Sequence, residues 1–128
     1  MLERRPGIPP HTWPQQLPPP HDPTLPWAVI AWIREILPAE EWRVDTLSRH
    51  PWELATMGMT AVDRMVESLR ESHRETVRLY TGILGDDDIR RLLAAHAAEA
   101  QRLMVLREQM SEVVDALTAM GAQGIQPK

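Results

Sequence analysis

His73 lies twelve residues before Gly85 and His96 eleven residues after it. If the chain reverses at Gly85 between antiparallel helices, the two imidazoles fall at nearly the same height. Projected at 100° per residue, His73 continues the apolar row Val66, Leu69, Val77 and Tyr80, and His96 continues Ile89, Leu92, Leu93 and Ala100. Neutral imidazoles ligate zinc, paired histidines titrate near physiological pH, and a hydrogen-bonded pair between helices fixes their register. Two nitrogens do not complete a zinc site. Glu67, Glu71 and Glu99 are near in sequence but fall toward the flanks, and His96-x-x-Glu99 reverses the Glu-x-x-His order of ferritin-like bundles. The expectation is therefore a buried polar pair, His73 with His96, and no metal.

Other chemistry is thinly represented. The chain has no cysteine, which excludes disulfides, thiolate metal sites and cysteine nucleophiles. It carries no glycine-rich phosphate loop, no nucleophile elbow and no His-Glu-x-x-His, so neither an enzyme nor a cofactor site is expected. With 14 basic against 18 acidic residues the net charge is −4, and the two signs are interleaved rather than sorted, which argues against a nucleic-acid partner. The most apolar stretch, Trp27 to Leu37, is eleven residues long and contains Arg34 and Glu35, too short to span a bilayer. The arginines near the N-terminus lead into prolines, unlike a secretory signal, and a cytoplasmic setting is expected.

The elements that must position these residues follow from the prolines. Nine of the twelve lie in residues 1 to 26, and none interrupts the stretch from Trp52 to Gln126. Proline lacks the amide donor and fixes φ, so residues 1–24 are predicted to be an extended polyproline arm. Its sizeable apolar side chains are Leu2, Ile8, Trp13 and Leu17, of which Trp13 and Leu17 are the candidate anchors on a partner. Thr24 is placed to cap a first helix over 25–37, with Pro26 in its opening turn and Trp27, Ile30, Ile33 and Leu37 at helical spacing. Pro38 ends it and starts a second short helix over 38–49, with Glu40 and Glu41 placed for its dipole. Trp27, Trp32, Trp42 and Trp52 are read as the cap of the fold, with Trp27 and Trp32 also candidate partner contacts.

From Pro51 a long helix is predicted to run to Leu84, using Val62, Met65, Val66, Leu69, Val77, Tyr80 and Ile83 on one face. Gly85 is expected to supply a left-handed cap, with Asp86 as N-cap and Asp87 and Asp88 in the first turn of the next helix. That helix is predicted over 87–120, with Gly121 as its stop. Arg107 falls at the height of Asp63 and is a candidate ion-pair partner for it, and Gly58 between two methionines marks a bend or a close helix crossing.

The fold class read from the sequence is all-α: a long antiparallel helical hairpin capped by two short helices, an extended arm over 1–24, a helical domain over 25–121 and a flexible tail over 122–128. A two-helix hairpin has one buried seam, and the short helices can cover its remaining apolar surface at one end only. The function that suits this build is non-enzymatic: a structural, assembly or adaptor protein that binds protein partners or copies of itself through the hairpin and the arm. A phage or mobile-element component would have such a shape. The alternative is a metal- or ligand-responsive regulator, a dimeric four-helix bundle with His73 and His96 in its core.

Overall fold

The computed structural model describes residues 12–38 and 49–121. Residues 39–48 of the second short helix expected over 38–49, with Trp42, and the tail over 122–128 therefore fall outside the described residues, as do the first eleven residues of the arm. The fold is all-α, and among the described residues there are three helices: α1 (Leu25–Ile36), α2 (Pro51–Tyr80) and α3 (Asp86–Ala119). The chain divides into two compact units, unit 1 formed by Met1–Ala61 with Glu108–Lys128 and unit 2 by Val62–Arg107. Both long helices contribute to both units.

Unit 1 holds the well-sealed core. On α1, Leu25, Val29 and Ile33 recur every four residues and are completely buried, which is the narrow stripe a single helix offers a neighbour. They join Leu54 of α2 and Met110, Val113 and Leu117 of α3, all also buried. Fully burying a side chain of this size stabilises the fold by about 1.5–3 kcal/mol. Gly58 marks the closest approach: a Cβ there would stand 2.8 Å from Met110 Cε and 3.4 Å from Leu37 Cδ1. Glycine is used here because the space is filled by its neighbours. Across the same pair of helices, the Trp52 indole N–H donates to Thr118 Oγ1 at 2.9 Å.

The described part of the arm is a string of turns. The amides of Leu17 and Asp22 donate to the carbonyls of Pro14 and Pro19, at 3.2 and 3.0 Å. The Trp13 indole N–H closes on the Pro18 carbonyl at 3.0 Å, and Thr12 Oγ1 donates to Glu112 of α3 at 2.8 Å. The extended polyproline conformation predicted for this stretch does not hold for residues 12–24. Burial of Trp13, Pro14 and Leu17 within unit 1 outweighs it, since an extended segment would leave these groups in water. At the start of α1 the cap is also different from the expected one. Thr24 occupies the N-cap without bonding the helix through its side chain, and both its amide and its hydroxyl donate to Asp22 Oδ1, at 2.8 and 2.6 Å.

In unit 2, α2 and α3 pack as an antiparallel pair, shown by two cross-helix contacts whose numbers run in opposite directions. Arg107 Nε donates to Asp63 Oδ1 at 3.1 Å, as the sequence suggests, and His73 meets His96. The turn between the helices departs from the sequence reading. α2 stops at Tyr80 rather than Leu84, and its last carbonyl accepts from the amides of both Ile83 and Leu84 at 2.9 Å. The residue with positive φ is Gly82, at +88°, and not Gly85. Gly85 instead opens α3, its carbonyl accepting from the Ile89 amide at 3.0 Å, so Asp86, Asp87 and Asp88 all lie in the first turn beside the positive end of the helix dipole. Gly121, with φ +78°, follows the end of α3 as expected.

Candidate functional site

Unit 2 is where the structure brings sequence-predicted chemistry together. His73 is set by α2 and His96 by α3, with ring centroids 6.1 Å apart and ring planes tilted by 52°. Both rings line an open cleft of about 320 Å³. On the α2 side the cleft is completed by Leu69, Arg70 and Arg74, and on the α3 side by Ala97 and Ala100. The two alanines leave the room.

The pair is not buried as the sequence predicts. His73 is exposed, His96 is half-buried, and no hydrogen bond joins them. Nδ1 of His96 is shut off from solvent without a hydrogen-bond partner. The physical reason is the absence of a third layer: two helices in contact share one seam, and a ring on the margin of that seam has protein on one side only. Between Val66 and Leu103 only Thr76 is buried. Leu69, Ile89, Leu93 and Ala100, which share the seam, are half-buried. Thr76 lies in the line Val62, Val66, Leu69, His73, Thr76, spaced alternately by about three and four residues. Val77, chosen from its hydrophobicity, stands one position off that line and is exposed.

The neighbouring carboxylates are already committed. Arg102 grips Glu99 with two bonds, Nε to Oε1 at 3.0 Å and Nη2 to Oε2 at 2.6 Å. That hydrogen-bonded guanidinium holds the Glu99 carboxyl below the ordinary glutamate range. On α2 Arg70 pairs with Glu67 at 3.3 Å and Arg74 with Glu71 at 2.5 Å, and the Arg74 guanidinium is pushed upward by its bond to Glu71. Among the described residues no group of three histidines and carboxylates could hold a metal ion. No catalytic constellation of nucleophile, base and orienting group is brought together around the cleft either; its polar groups are two imidazoles and two arginines in ion pairs.

The four candidate partner contacts lie in unit 1 and separate into two kinds. Trp13, Leu17 and Trp32 are buried, at 8 %, 7 % and 4 % exposure, and serve as core within the chain. As anchors for a partner they have little surface to offer, because packing in unit 1 already takes their apolar faces out of water. Trp27, two positions from both Leu25 and Val29 and so on the face of α1 opposite its buried stripe, is 68 % exposed and is the one of the four that presents a free ring. The larger exposed apolar surface belongs to unit 2 and lies on the hairpin face that the sequence reads as incompletely covered, with Leu79, Met104 and Val105 added to it by the structure. Val77, Leu79, Tyr80, Ile83 and Leu92 lie in the stretch without core, and Met104 and Val105 lie just beyond it. The reason is the one the sequence indicates: the apolar faces of the two long helices are wider than the single seam they can share.

No helix among the described residues is long and apolar enough to cross a membrane. No protein-family model matches the chain, and neither a curated protein nor a solved structure matches it.

Proposed function

We propose that the chain is a non-enzymatic assembly protein that associates with a second copy of itself through unit 2. In this reading α2 and α3 act as the antiparallel hairpin and the short N-terminal elements as its cap, and the protein works in the cytoplasm or in an assembly built there. The observation that carries it is the stretch from Glu67 to Arg102, which has one buried residue and five large exposed apolar side chains. A two-helix unit of this size buries too little to be stable on its own surface, since even compact domains of about 60 residues are marginal. Pairing with an identical unit supplies the missing third and fourth helices, and a two-fold arrangement requires one self-complementary face rather than two. These side chains are already partly covered, so burying the rest of each contributes a fraction of the about 1.5–3 kcal/mol that complete burial gives, before the cost of association.

The reading does not use Trp13 and Leu17 as contacts, in keeping with their burial. Its test is the co-expression of two differently tagged full-length copies. One tag is expected to retrieve the other, and substitution of Val77, Tyr80 and Ile83 by serine is expected to abolish retrieval while leaving the helical circular dichroism of unit 1 in place. Failure of the unaltered copies to retrieve each other overturns the reading.

A further inference from the structure

The two imidazoles of unit 2 are close without being bonded to each other, and that separation has a chemical meaning. A late transition metal stands about 2.0–2.1 Å from an imidazole nitrogen, hence about 3.2 Å from the ring centroid. Two rings on one ion then have centroids about 5.2 Å apart at a tetrahedral angle and about 6.4 Å apart when collinear. The 6.1 Å between His73 and His96 is about 0.9 Å wider than the tetrahedral spacing, so the rings have to close by that amount to share one ion.

We propose that His73 and His96 form a two-imidazole chelating site for a divalent late transition metal ion, with its remaining coordination positions open to water. The two rings line a cleft that is open to solvent and has the room for an ion with its waters. Since Nδ1 of His96 is sealed off and unpartnered, Nε2 is the nitrogen of that ring offered to the ion. The donor set selects the metal class. There is no cysteine in the chain, and the nearby Glu67, Glu71 and Glu99 are held by arginines, so the site presents nitrogen alone. Imidazole without carboxylate suits zinc, copper and nickel and does not suit magnesium or calcium. The same ion pairs remove the electrostatic objection: Arg70 and Arg74 line the cleft, but Glu67 and Glu71 neutralise them. The Arg107–Asp63 bond in the same unit belongs to the same register of α2 against α3 that places the two rings level. Both ligands come from one chain, so the chelate does not require a second copy, and the calorimetric titration reads it whether or not unit 2 self-associates.

The experiment is calorimetric titration of the untagged full-length chain with zinc chloride, repeated on H73Q, H96Q and, as a control from unit 1, H50Q. One ion per chain is expected. Removing either ligand should cost more than the loss of an outer-shell partner does, so H73Q and H96Q should each weaken binding by more than about tenfold, with H50Q unchanged. Circular dichroism reports whether each variant is folded. Copper loading of the unaltered chain needs no variant, and its electron paramagnetic resonance spectrum should show coupling to two imidazole nitrogens. No saturable zinc binding, binding that survives either H73Q or H96Q, or a copper spectrum with fewer than two nitrogens would overturn the site.

Discussion

Gly58 is the residue whose replacement separates helix propensity from packing. Alanine would gain about 1 kcal/mol in helix propensity, but its Cβ would meet the end of Met110, which is completely buried and has little room to retreat. Overpacking a closed core costs about 1–3 kcal/mol, so Gly58→Ala is expected to lower stability by about 1 kcal/mol in urea unfolding. In a Met110→Ala background the clash is gone, and the same substitution should become stabilising, a reversal that a double-mutant cycle measures directly. Asp22 gives a second residue-scale test. Its carboxyl is held below the ordinary aspartate range by hydrogen bonds from the Thr24 hydroxyl and amide. A carboxyl depressed in the folded state contributes stability that is fully present above its unfolded pKa and is lost as pH falls through the folded value. The unaltered chain should therefore be more stable than Asp22→Asn at neutral pH, with the difference constant above about pH 5 and closing below the ordinary carboxylate range. At this scale the sequence made the His73–His96 approach and the Arg107–Asp63 pair legible, because helical projection places them at matching heights. It misjudged burial, since projection finds the apolar face and is silent on how much of that face a neighbour covers.

The elements were legible wherever a proline or a capping residue bounds them. α1 begins after Thr24 and ends before Pro38, α2 begins at Pro51, and α3 ends before Gly121, each at or within a residue or two of its expected limit. The turn between α2 and α3 was harder because two glycines compete there. Gly82 takes the left-handed conformation and ends α2 at Tyr80, and Gly85 is left to open α3. The described arm escaped the sequence reading for a different reason. Proline content argues for an extended chain, but Trp13, Pro14 and Leu17 find buried places in unit 1, a tertiary effect outside local propensity. The two units should respond differently to truncation of their apolar side chains. Leu117→Ala in unit 1 removes a completely buried side chain and is expected to cost about 2–5 kcal/mol, whereas Leu92→Ala in unit 2 should change the stability of a dissociated chain by less than about 1 kcal/mol. Thermal or urea unfolding at low protein concentration distinguishes the two. Equal losses would mean that Leu92 is far better covered than its exposure indicates.

At the scale of the molecule, one unit is sealed by its own chain and the other is not. Unit 1 brings α1 and the arm residues onto the ends of the long helices, and among its described residues Trp27 is the most exposed large apolar side chain. Unit 2 has two helices, a half-buried seam and an exposed apolar surface around Val77, Tyr80 and Ile83. A chain that keeps such a surface is expected to bury it against a copy of itself, which makes the stability of unit 2 dependent on concentration. Hydrogen exchange should show this as amide protection over 67–102 that rises with protein concentration, beside protection in unit 1 that does not. The most direct test is the mass of the purified full-length chain in solution, by light scattering coupled to size exclusion. The expected result is a discrete multiple of the 14.6 kDa chain that falls to a single chain when Val77, Tyr80 and Ile83 are changed to serine. A stable 14.6 kDa monomer of the unaltered protein, at concentrations well into the micromolar range, would contradict self-association through unit 2.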